Sequence, residues 1–202
     1  MSSSIYRLIY FYSQHDNNNN NFKWIRLIKE ICDTCGYANI FMLQNVYSVN
    51  WFKASIKLRL QDQFEQLWYS NIQTSPKGLV YKLYNEKLIF EKYFEILSDK
   101  DYITLCRFRT LNHALPIERG RWQNIERNDR KCETCGSLGD EYHYLFECSE
   151  LTDERKLFLP KYCLNRPNIF KLCSLFTTVK ISTLKNLCKF IRCILEKTSP
   201  PG

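Results

Sequence analysis

Four residues whose side chains ligate soft metals fall in one short stretch. Cys132, Cys135, His143 and Cys148 are spaced C-x2-C-x7-H-x4-C. Thiolate and imidazole are donors that zinc favours, and three Cys with one His fill the corners of a closed tetrahedron. A catalytic zinc keeps one position open, so four good donors point to one structural ion and away from enzyme chemistry. Gly136 and Gly139 let the backbone between the ligand pairs turn back on itself. His143 and Cys148 lie on the aromatic run Y-H-Y-L-F-E-C. Five residues apart they do not share a helix face, so Cys148 is expected at or just beyond the end of a short helix. The competing reading is two buried thiols, a surface His and a fortuitous fourth Cys.

The elements that must position these ligands read as helices. Among 202 residues there are only six Gly and six Pro, while hydrophobic residues make up 45% and aromatics 15%. That composition describes a folded chain with one core or two small ones, not a disordered one. The expected fold is mainly α, a helical bundle with an inserted CCHC zinc loop and room for one short strand or hairpin near Leu79 or the first Cys pair. The ten cysteines are preceded by no evident signal peptide, and no apolar run is long enough to span a membrane. Reduced thiols in the nucleus or cytoplasm are the consistent setting.

In order, residues 1–21 form an N-terminal segment ending in an Asn-rich loop, and residues 22–97 form a helical segment. Residues 98–197 carry a basic helix, the CCHC module and C-terminal helices, and residues 198–202 are a tail. Helical spacing of Trp24, Ile25, Ile28 and Ile31 is stopped by Gly36, a C′ glycine. Cys32 and Cys35 then sit at a helix C-terminus, where the dipole opposes a thiolate, so core or surface thiols are favoured over a second metal site or a redox pair. Residues 48–72 read as a long amphipathic helix with Leu60, Phe64, Leu67 and Trp68 facing a core. A break at residues 75–78 marks a soft boundary. Residues 79–84 read as a short edge strand, and residues 88–97 as a helix. Ser98 and Asp101 have capping-box spacing ahead of a helix that buries Tyr102, Leu105, Phe108 and Leu111. His113 reads as a capping or core residue. Residues 152–162 and 168–176 read as helices. Residues 182–196 form the cleanest stripe: Leu184, Leu187, Cys188, Ile191, Ile194 and Leu195.

The net charge is +8, and between residues 100 and 131 eight Lys or Arg face four acids. Arg107, Arg109, Arg119, Arg121, Arg127, Arg130 and Lys131, with Trp122 among them, combine charge for phosphates with a flat face for stacking. They are the candidate contacts for RNA or DNA. The bland alternative is a solvated face with Trp122 packed against the zinc loop, and packing is the favoured reading for Trp122 itself.

The string L-C-R-F-R-T-L-N-H-A-L-P-I-E-R-G-R-W, then C-x2-C, then G-D-E-Y-H-Y-L-F-E-C and D-E-R-K-L-F-L-P-K-Y, resembles the C-terminal zinc-binding region of non-LTR retrotransposon reverse transcriptases. The likeness covers residues 101–196. It implies that Cys132, Cys135, His143 and Cys148 hold a structural zinc, that the module helps grip RNA template or target DNA, and that the remainder of a reverse transcriptase is a partner. The chain departs from full-length members in having no Y-x-D-D-like motif and no endonuclease constellation, so polymerase chemistry is not expected. A purely structural or protein-interaction domain, a remnant of such an element, is the alternative.

Overall fold

The computed structural model describes residues 23–43, 45–75, 78–85 and 87–198. The expected Asn-rich loop, residues 199–202 of the tail and the turn proline Pro76 lie outside them; Thr198, the first tail residue, closes the last helix. The described residues form α-helices and two short 3-10 turns, with a single isolated antiparallel bridge, Lys131 to Leu138, and no strand. The mainly α expectation holds. None of these helices is long and apolar enough to cross a membrane.

The chain divides into two compact units, Met1–Leu67 and Trp68–Gly202. The division falls inside one long helix, upstream of the break read at residues 75–78. In the first unit, α1 (Lys23–Thr34) ends as its sequence requires. Gly36 takes φ +80°, the Tyr37 N–H donates to the Cys32 carbonyl, and the Gly36 N–H donates to the Asp33 carbonyl. These are the paired bonds of a Schellman stop. A small core of Ile25, Cys32 and Phe41 joins α1 to α2 (Ala38–Leu43), with Tyr37 and Phe52 packed on it. Helix α3 (Val49–Thr74) exists as expected but buries no residue, and Leu60, Phe64 and Leu67 are exposed. Its apolar side chains, Trp51, Leu58 and Tyr69 included, are scattered round the helix, so no single stripe can be sealed.

The second unit continues through α4 (Gly78–Tyr81), α5 (Tyr93–Ile96), α6 (Asp99–Arg109) and α7 (Pro116–Trp122). After the turn bearing Cys132 and Cys135 come α8 (Glu141–Phe146), α9 (Thr152–Phe158), α10 (Lys161–Leu164), α11 (Ile169–Thr177) and α12 (Ile181–Thr198). Helix α12 is the spine, packed against α6 and α9. Its expected stripe is buried, with Leu195 partly so and Phe190 added. Asn168 caps α11 by accepting from the Lys171 N–H at 3.0 Å.

Three readings of local structure need correction. Residues 79–84 are not an edge strand but the end of the short helix Gly78–Tyr81 and the turn after it, because the described residues offer no partner strand; Tyr84 instead donates to the Arg109 carbonyl at 2.6 Å. Between residues 88 and 97 only Tyr93–Ile96 is helical. Leu88, Ile89 and Phe90 are exposed, so no buried face holds a longer helix. Residues 152–162 are two helices, because Pro160 lacks an N–H and forces Leu159 to ψ 147°.

Candidate metal centre and its basic surroundings

The two halves of the ligand set are built differently. Cys132 and Cys135 sit on a tight turn: the Gly136 N–H donates to the Cys132 carbonyl at 2.9 Å, and the Cys132 N–H donates to the Ser137 carbonyl at 2.7 Å. Gly136 takes φ +69°, which costs a residue with a side chain about 1 kcal/mol. His143 lies on α8, whose first turn is capped by Asp140 Oδ1 accepting from the His143 N–H at 2.9 Å. Cys148 follows the helix end, as its spacing requires, and its N–H donates to the His143 carbonyl at 2.8 Å.

These elements bring one ligand atom from each of Cys132, Cys135, His143 and Cys148 within 4.8 Å of one another. The Cys148 sulfur is 3.8 Å from that of Cys135 and 3.9 Å from that of Cys132. Three observations fit a metal ion. Sulfurs placed about 2.3 Å from a common ion at tetrahedral angles lie about 3.8 Å apart. All ten cysteines are free. His143 is buried, and neither of its ring nitrogens has a hydrogen-bond partner, an orphaned state that a metal ligand would relieve. Its Nδ1 lies 3.7 Å from Glu147 Oε2, beyond hydrogen-bond distance. The Ser149 hydroxyl and N–H bond the Cys135 sulfur and hold its thiol below the usual range, whereas burial pushes Cys148 up to about 12. The four side chains could hold a metal ion; among the described residues no other such cluster forms.

Cys32 and Cys35 are both buried, and burial raises the Cys32 thiol, with the Cys35 charge adding to it. They gather no third ligand among the described residues, and the raised Cys32 thiol is the reverse of what a redox nucleophile needs. His113 is a core residue. Its Nε2 lies 2.8 Å from Glu141 Oε1 on α8, a close contact although neither atom makes a hydrogen bond of good angle.

The basic candidates do not form one surface. Arg109 is corrected outright: it is 2% exposed, donates to both Glu91 oxygens at 3.0 and 2.9 Å, and lies over the rings of Tyr84 and Tyr93. Arg121 donates to the buried carboxylate of Glu118. Arg130 donates to the Ile125 and Ile117 carbonyls and covers Gly120, closing the loop after α7. Arg119 is half-buried and stands 3.6 Å from Glu133. Arg107, Arg127 and Lys131 are exposed. Trp122 is 55% exposed, so the packed reading of it is wrong.

Arg155 escaped notice in the sequence. Near-completely buried on α9, it donates to the carbonyls of Leu145 at 2.9 Å and Cys148 at 2.7 Å, and more loosely to that of Tyr144 at 3.4 Å. Backbone acceptors leave no trace in residue types, so no spacing rule would have found it. Compared with protein-family models, curated proteins and solved structures, the chain matches none.

Proposed function

We propose that this chain is a zinc-stabilised nucleic-acid-binding module, similar to the C-terminal part of a non-LTR retrotransposon reverse transcriptase and without polymerase catalysis of its own. The observation that carries the reading is the convergence of Cys132, Cys135, His143 and Cys148 within 4.8 Å. Zinc is the ion that suits three thiolates and an imidazole at tetrahedral spacing, and four protein donors make its role structural. Exposed Arg107, Arg127 and Lys131 supply charge for phosphates, and Trp122 offers a ring for a base. Arg119, Arg121 and Arg130 add to the positive field while holding the module together. The setting is a reducing compartment, nucleus or cytoplasm, with RNA or DNA as partner and the remainder of a reverse transcriptase as a second one.

Elemental mass spectrometry of the purified chain beside Cys132→Ser tests the first half. About one zinc per chain, lost in the variant, is expected from the four-donor set. The second half is a salt titration of binding to fluorescent single-stranded RNA and DNA. Replacing Arg107, Arg127 and Lys131 together by Ala should reduce the slope of log affinity against log salt by about 2, near 0.7 per phosphate contact. Zinc-loaded protein that binds neither strand, or binds without salt dependence, would defeat the nucleic-acid reading. The second reading, a structural or protein-interaction helical domain, then stands. The exposed Trp51, Phe64 and Leu67 of α3 favour it.

A further inference from the structure

We propose that Arg155 is the counter-charge of the metal centre, its guanidinium balancing the net negative charge of the loaded ligand set while its fork ties Cys148 to the helix bearing His143. The inference rests on the metal reading above. A divalent ion with three thiolates and a neutral imidazole carries one negative charge, taken out of water by the buried Cys132, Cys148 and His143. A charge so placed is costly unless an opposite one lies near.

Arg155 meets that need from α9, seven residues after Cys148, across the 3-10 turn Ser149–Leu151. It is 7% exposed, and no carboxylate lies within ion-pair distance of it among the described residues. Its hydrogen bonds go to the neutral carbonyls of Tyr144, Leu145 and Cys148. The first two belong to the last turn of α8, where carbonyls lack intrahelical donors. Carbonyls satisfy the N–H groups of a guanidinium but leave its charge uncancelled. Glu154 and Glu147 act on it only at longer range: Glu154 is paired with Lys197 at 2.6 Å, and Glu147 is half-exposed beside His143. A buried cation with no carboxylate in contact and a ligand set that becomes anionic on loading therefore share the Cys148 peptide.

Two variants separate charge from geometry. Arg155→Gln keeps hydrogen-bond donors and loses the charge; Arg155→Lys keeps the charge and loses the fork. The reduced full chain is titrated with cobalt(II), following its thiolate absorption bands, and zinc affinity is then measured by chelator competition. Arg155→Gln should bind zinc about 10–100-fold more weakly, and Arg155→Lys within about threefold of wild type, with unchanged cobalt bands. Arg155→Gln binding as tightly as wild type, or Arg155→Lys binding as weakly as Arg155→Gln, would overturn the proposal. If circular dichroism finds Arg155→Gln unfolded, Arg155→Lys decides: affinity within about threefold supports the counter-charge, and a loss of about tenfold or more rejects it. Wild type without cobalt bands would remove the metal centre itself, a failure distinct from one confined to Arg155.

Discussion

At the scale of single residues, the metal-ligand turn depends on what small side chains permit. A Cβ on Gly139 would lie 2.8 and 2.9 Å from Pro116 Cβ and Cγ and 3.1 Å from the Cys132 nitrogen. The glycine also donates its N–H to the Arg130 carbonyl and accepts from the Ile117 N–H. Its backbone is therefore pinned from both sides, against the first turn of α7 and against the first ligand. Gly139→Ala should cost about 1–3 kcal/mol through overpacking, and should weaken metal binding because Cys132 must shift. Urea unfolding of the zinc-loaded variant measures the first effect and chelator competition the second. A variant matching wild type in both would mean that the turn is not seated on Pro116.

Between elements, the strongest tie is that of α6 to α12. Ser98 and Asp101 have capping-box spacing, yet Ser98 makes no cap bond to the backbone; its hydroxyl donates to Asp101 Oδ2 at 3.0 Å. Asp101 is claimed from across the core by Arg192, which donates to Oδ1 at 2.8 Å, and the Cys188 thiol donates to the Asp101 carbonyl at 3.4 Å. Burial alone would raise the Asp101 carboxyl, but the Arg192 and Ser98 hydrogen bonds outweigh it and hold the group below its ordinary range. A carboxyl lowered in the folded state stabilises fully above its unfolded value and loses that contribution as pH falls through the folded one. Asp101→Asn should therefore cost about 1–2 kcal/mol at neutral pH, the value of a charge-assisted bond that is partly solvated. The gap to wild type should close as pH falls below about 4. Urea titrations of both proteins at matched pH values measure it, and a gap that stays constant down to pH 2.5 would mean that charge is not its source.

For the whole molecule, the two compact units should differ in their dependence on a bound metal. Apparent zinc-binding energies of about 10–16 kcal/mol in finger peptides compare with a domain stability of about 5–15 kcal/mol. The only cluster able to hold an ion among the described residues lies in the second unit, while α1 and α2 close on their own core of Ile25, Cys32 and Phe41. Stripping the metal with a chelator, or replacing Cys148 by Ser, should loosen residues 122–162 and spare α1 and α2. Hydrogen exchange read by mass spectrometry, with and without chelator, gives the pattern directly. Equal loss of protection in α1 would contradict independent units, and no change anywhere would mean that the ion does not hold the fold.

Features governed by spacing along the chain were legible before any fold was known: the four donors, Cys148 beyond the end of α8, the Gly36 stop and the stripe of α12. Each depends on neighbours a few residues away, and helical periodicity or ligand chemistry is enough to read them. The fate of charged and apolar side chains was not legible. Arg107 and Arg109 stand two apart on one helix, yet one is exposed and the other is core. What separates them is a carboxylate on Glu91, eighteen residues upstream, with Tyr84 and Tyr93 closing over the guanidinium. Likewise Leu60, Phe64 and Leu67 have the spacing of a buried stripe, but spacing cannot supply the surface that would cover it. Arg155 was invisible because its acceptors are peptide carbonyls. The sequence determined which atoms could ligate a metal; only the tertiary structure decided which charges remained at the surface and which were drawn inside, because burial is settled by partners far away in the chain.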